Sequence, residues 1–160
     1  MVSLNQVVER LKASRRHFLK HVQGVTDEQS NWKPYPNCLS INETLRHLRV
    51  DDLAAMDSME TGEEPKYEEI QQRVQADSGS LGMEDLLKLL AESHDLLVKY
   101  IETKYENQSL DAEICVWGNR MPLVLGVPYL SGEDYYHAGQ VAFIRQATDP
   151  SWNYYGEIYG

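Results

Sequence analysis

Residues 4 to 23 space Leu4, Val7, Val8, Leu11, Phe18 and Val22 so that their side chains share one face of a helix. Gly24 is a natural stop, because glycine readily takes the left-handed conformation that ends helices. Between Asp27 and Asn37 stand Trp32, Pro34, Pro36 and Asn37. Each proline restricts itself and the residue before it, which predicts an ordered loop. Ser40-Ile41-Asn42-Glu43 is a capping box and opens a second helix, with Ile41, Leu45, Leu48, Ala55 and Met59 facing inward. Thr61 to Gly79 is polar and broken by Gly62, Pro65 and Gly79. It predicts a connection long enough to cross a bundle, with about one helical turn between Tyr67 and Val74. A third helix, from about Met83 to Tyr105, carries Leu86, Leu87, Leu89, Leu90, Leu97 and Ile101 at helical spacing.

Ile114 to Trp117, then Gly118-Asn119, then Met121 to Val127 predict a short extended hairpin, with Pro122 keeping its second arm at an edge. Ser131 caps a fourth helix that runs to about Gln146 and ends at Asp149-Pro150. The tail beyond Ser151, with Trp152, Tyr154, Tyr155 and Tyr159, is aromatic enough to pack onto the body or a second subunit. Burying four amphipathic stripes against one another predicts an all-α four-helix bundle. It has a long crossover connection and a short extended excursion before the last helix, in one domain spanning residues 1–160.

Charge and composition narrow the function. The 25 acidic and 15 basic side chains leave a net charge of −10, which repels a phosphate backbone and argues against nucleic-acid binding. The densest basic group, Lys12, Arg15, Arg16 and Lys20, reads as the solvated side of the first helix. Cys38 and Cys115 form no CxxC pair and no disulfide framework, which suits a reducing cytoplasm. The first residues lack a basic region followed by an apolar run, and nowhere do about 18 apolar residues follow one another, so a soluble protein that does not span a membrane is expected.

The candidate chemistry lies on the fourth helix. Leu130, Glu133, His137, Gln140, Val141 and Ile144 share a stripe, which turns Glu133 and His137 inward one turn apart. An unpartnered buried carboxylate loses several kcal/mol of hydration, so this pair calls for a cation, a proton or a mutual hydrogen bond. The plain alternative is a structural Glu133–His137 pair. His47, on the second helix beside the inward row, is the best third donor. Two imidazoles and a carboxylate with open positions suit zinc, nickel, manganese or ferrous iron. Asp51, one turn after His47, is a fourth ligand, an acceptor orienting an imidazole, or a surface acid paired with Arg15 or Arg49. Gln140 has the same ligand and supporting readings. His17 and His21 form a rival pair, read as solvated, and His94 reads as a polar-face residue. Neither cysteine has a basic neighbour marking it as a nucleophile, and no GxSxG, Walker or GxGxxG pattern occurs.

The runs Val25-Thr26-Asp27-Glu28-Gln29-Ser30-Asn31-Trp32-Lys33-Pro34, Ser40 to Leu48, and Tyr136-His137-Ala138-Gly139-Gln140-Val141-Ala142-Phe143-Ile144-Arg145 resemble the DinB-like superfamily of bacterial four-helix-bundle metalloproteins. The resemblance spans most of the chain. It implies a divalent metal, often zinc or nickel, held by one histidine of the second helix and two of the fourth. The matching positions are His47, Glu133 and His137, so a carboxylate stands where the family pattern has histidine. The resemblance further implies a homodimer and a thiol S-transferase that joins a low-molecular-weight thiol to a small electrophilic substrate. Tyr136, Gln140, Arg145 and Trp117 are candidate pocket or supporting residues, Asp51 with them. The rivals are a metal-dependent hydrolase and a non-catalytic dimeric binding module.

Overall fold

The computed structural model describes residues 2–160, which are mostly helical. Helix α1 spans Leu4–Val22, capped by Ser3 in a reciprocal box with Gln6. Helix α2, Asp27–Asn31, occupies the first part of the expected loop. Thr26 caps it through a second box with Gln29, a signal present in the sequence but hidden by the prolines that follow. Helix α3, Ile41–Thr61, begins at the expected Ser40–Glu43 box and ends at Gly62, whose φ of 74° is left-handed. Helix α4, Tyr67–Ser78, corrects the expected single turn to three. Ile70 and Val74 bury against Val50 and Ala54 of α3, and this packing outweighs the polar composition. Helix α5 spans Met83–Tyr105.

Strands β1, Glu113–Val116, and β2, Asn119–Pro122, form the antiparallel hairpin. Its turn is Trp117-Gly118, one residue before the expected position. Both turn residues have positive φ, 50° and 80°, as the tightest hairpin turns require. Strain at Trp117 is offset by two tethers to α3. Trp117 Nε1 donates to the Asp51 carbonyl at 3.1 Å, and the Gly118 amide donates to Ser58 Oγ at 3.0 Å.

Helix α6 runs from Leu123 to Thr148 and so begins eight residues before the expected cap at Ser131. Pro128 lies inside it. The helix starts early because its opening amides find partners in the preceding loop: Leu123 N–H donates to the Ala112 carbonyl and Val124 N–H to that of Leu110, at 2.8 and 2.9 Å. Ser131 is consequently a buried mid-helix residue. Helix α7, Tyr154–Tyr159, folds the aromatic tail back onto the body, where Trp152 and Ile158 pack on Ala142.

The four long helices pack pairwise, α1 against α5 and α6, and α3 against α5 and α6. Their apolar core has two halves. One, around Val8, Leu11, Leu97, Ile101, Leu123 and Val127, lies beside the hairpin. The other gathers Phe18, Leu45, Leu48, Leu90, Val141 and Ile144. In sequence along each helix, a polar residue separates them: Arg15 on α1, Asp52 on α3, Ser93 and His94 on α5, Asp134 on α6.

Arg15 is therefore buried, not on a solvated side. Its two terminal nitrogens donate to the Asp52 carboxylate at 3.1 and 3.0 Å, and its Nε donates to Asp134 Oδ1 at 2.7 Å. Ser14 donates to the remaining oxygen, Asp134 Oδ2, at 2.7 Å, and Ser93 donates at 2.8 Å to Asp52 Oδ2, which it shares with Arg15. Burial pushes the Asp52 carboxyl up, but Arg15 and His94 together outweigh it and hold the group below its ordinary value. His94 and His21 are also buried, contrary to the polar-face and solvated readings. Among the described residues no helix is long and apolar enough to cross a membrane.

A candidate metal centre between α3 and α6

The Ser40 box starts α3 two turns before His47, so that the imidazole points across to α6 at the level of Glu133 and His137. One donor atom from each of the three residues lies within 4.8 Å of the other two. His137 Nε2 is 3.4 Å and His47 Nε2 is 3.8 Å from Glu133 Oε2. Donors bound at about 2.1 Å around a tetrahedral ion stand about 3.4 Å apart, so the two separations from Glu133 need little adjustment to hold one.

His137 is set for such a role. It is only 3 % exposed, and its Nδ1 lies 2.7 Å from Gln140 Oε1. That bond assigns the ring proton to Nδ1 and leaves the Nε2 lone pair directed at the cluster. Nε2 is buried and has no hydrogen-bond partner among the described residues. A buried acceptor left bare is costly, and a cation would satisfy it.

Glu133 is less enclosed than the apolar stripe implies, with its side chain 36 % exposed. The fully buried acid of this turn is instead Asp134, which belongs to the Arg15 network. The two neighbouring imidazoles, His137 first and then His47, hold the Glu133 carboxyl down at about 2 against the opposing effect of burial, so it is anionic throughout the neutral range. His47 is pushed above its ordinary value, first by Glu133 and then by the charge of Asp51, against the opposing effect of burial. Asp51 Oδ2 sits 3.2 Å from His47 Nε2, close beside the three donors but outside their cluster, and lacks a well-aligned donor. Burial pushes the Asp51 carboxyl up to about 7. It pairs with neither Arg15, which binds Asp52, nor Arg49, which binds Asp77.

The three donors open onto a cavity of about 810 Å³. Pro34, Tyr35, Asn37, Cys38 and Leu39 line it from the loop before α3, and Tyr136, Gly139, Gln140, Phe143 and Ile144 from α6. The loop residues escaped sequence reasoning. The proline spacing marks order there but carries no sign of a ligand wall. Tyr136 and Gln140 both line the cavity, the Tyr136 ring 5.0 Å from that of His137. Two other candidates are not at the cavity. Trp117 supports Asp51 only through its backbone carbonyl. Arg145 sits at the end of α1, where it donates to the carbonyls of His21 and Gln23 and stacks on Trp152. Of the cysteines, Cys38 is half-buried at the cavity, while Cys115 is buried beside Ser58.

Comparison with known proteins fits this architecture. The crystal structure of a mycothiol-dependent maleylpyruvate isomerase superposes with a TM-score of 0.61 at 17 % identity, covering 88 % of this chain and 61 % of that one. A histidine-to-alanine variant of a mycothiol-dependent maleylpyruvate isomerase gives the same TM-score at 16 % identity and the same coverage. The chain thus spans about three-fifths of the length of these structures, and at such identity the likeness is one of fold. No curated protein matches. The family model of the DinB superfamily matches residues 10–141, well over half of the sequence and including all three donors, and the chain belongs to that superfamily.

Proposed function

We propose that this protein is a divalent-metal-dependent enzyme of the thiol S-transferase type, in which His47, Glu133 and His137 hold the cation. The observation that carries the reading is the convergence of the three donors, within 4.8 Å of one another, at a cavity large enough for two small reactants. The reading takes the four long helices as a four-helix bundle with the centre between facing members. Two imidazoles and a carboxylate favour zinc or nickel, with manganese and iron as the harder alternatives. A low-molecular-weight thiol, a small-molecule electrophile and a homodimeric assembly complete the proposal. The thiol-dependent isomerases of similar fold support the choice of nucleophile.

A bound divalent cation supplies Lewis acidity that favours the thiolate over the thiol. The chain's own residues do the rest. Gln140 fixes the His137 ring through Nδ1. Asp51 Oδ2, beside His47 Nε2 and without a well-aligned donor, is our assignment for the acceptor of the thiol proton. The sulfur then forms a bond to the electrophilic carbon. Its partner bond breaks with the leaving group taking the electron pair, or, in an addition, the proton goes to the adjacent carbon.

The test is conjugation of a panel of bacterial thiols to small electrophiles by the protein loaded with each metal in turn. Acceleration over the thiol alone, lost in His137→Ala, is expected. No acceleration with any thiol and metal contradicts the reading.

A further inference from the structure

We propose that the cavity beside the His47–Glu133–His137 cluster accepts an uncharged aromatic molecule and discriminates against carboxylates and phosphates. This rests on the thiol-transfer reading for its biological sense, since it names the class of electrophile, but its evidence is separate.

The first observation concerns charge. Among the described residues lining the cavity none is lysine or arginine. Three cations adjoin lining residues in sequence: Lys33 is held by Glu43 at 2.6 Å, Arg145 by the carbonyls of His21 and Gln23, and Arg46, next to His47, is not part of the lining. An incoming anion would meet the Glu133 carboxylate, with Asp51 behind it and a chain of net charge −10 around it. A divalent cation does not reverse this. Glu133 offsets one of its two charges and no lysine or arginine of the lining adds to what remains, whereas three neutral histidines would leave its full charge to attract an anion.

The second observation is the aromatic surface exposed around the cavity. Tyr35, Tyr136 and Phe143 all line this cavity, yet they are 68 %, 63 % and 57 % exposed, with Leu39 beside them. Aromatic side chains gathered around a concavity and left open to water are suited to stack on and desolvate a flat apolar ring. A maleylpyruvate, as a dicarboxylate, is a poor match for such walls. The fold is shared with the isomerases, but the chemistry lining this cavity selects a different class.

The experiment compares naphthalene-2-methanol with 2-naphthoate, which share a ring system and differ in charge. Each is titrated into the full chain, metal-free and metal-loaded, and followed by ligand-observed NMR. The neutral member is expected to bind at least about tenfold more tightly to the metal-free form, and still the more tightly of the two to the metal-loaded form. Phe143→Lys, at an exposed position, should shrink or invert the ratio. Equal or tighter binding of 2-naphthoate overturns the inference. So does binding of neither probe, as when a second copy of the chain already covers the aromatic residues, which sedimentation would reveal. A neutral preference in a protein that conjugates no thiol supports the cavity assignment and counts against the transferase reading. Conjugation without the preference does the reverse.

Discussion

At His137 the ring is held at one nitrogen and bare at the other, a disposition that costs free energy unless something fills the gap. Removing the hold should be measurable. Gln140→Ala is expected to weaken metal binding by about 10–100-fold while leaving the donors in place, read by competition titration against a chelating dye. An unchanged affinity would show that Gln140 does not orient the ring. Proton competition gives a second expectation. His47 titrates above its ordinary value, and a protonated imidazole has no lone pair to offer. Metal affinity should therefore hold on the alkaline side of that raised value and fall as pH drops through it. Affinity that stays flat from about pH 8 to about pH 5.5 would contradict a role for His47. Glu133 and His137 are legible as a candidate pair because they stand at i and i+4 on an apolar stripe, a spacing that suits a structural pair as well; the family resemblance is what favours a metal. Arg15 and Asp134 are not legible in this way. An arginine among Lys12, Arg16 and Lys20 reads as solvated, and its burial depends on Asp52, which is distant in sequence.

The elements carry the centre through their register. On α3, Asp51 faces the donors while Asp52 enters the Arg15 network. On α6, Glu133 and Asp134 divide the same two tasks. A slip of either helix would break both arrangements together, so the network is suited to fix the level at which His47 meets Glu133 and His137. Arg15→Ala leaves two buried carboxylates without their cation and should cost about 3–5 kcal/mol in urea unfolding. A loss below about 1 kcal/mol would place Arg15 in the range of surface pairs. The start of α6 depends on close packing against the hairpin. A Cβ added at Gly126 would lie 2.5 Å from Ile114 Cδ1 and 3.2 Å from Val116 Cγ2. Gly126→Ala is expected to destabilise by about 1–3 kcal/mol, and a neutral effect would show that Ile114 yields freely. This junction explains why the early start of α6 was not read from sequence. Its opening amides are satisfied by backbone carbonyls of residues 110 and 112, and no capping side chain announces it.

For the molecule as a whole, the four long helices and the hairpin follow from apolar spacing, and the family match agrees with them. Helix α4 and the loop wall of the cavity depend on partners that local pattern does not contain. The distribution of charge is likewise a property of the whole, since an acidic chain with a cavity free of lysine and arginine sets what can approach the donors. If the cation binds only the folded chain, metal at 100 times its dissociation constant should add about 2.7 kcal/mol to stability. The measurement that bears most directly on the central claim is metal content of protein purified without a histidine tag or chelator and then offered zinc or nickel. The account predicts about one equivalent per chain, lost in both His47→Ala and His137→Ala while their circular dichroism stays that of the parent. Parent protein that binds no metal when offered it, or folded variants that bind as the parent does, would contradict it.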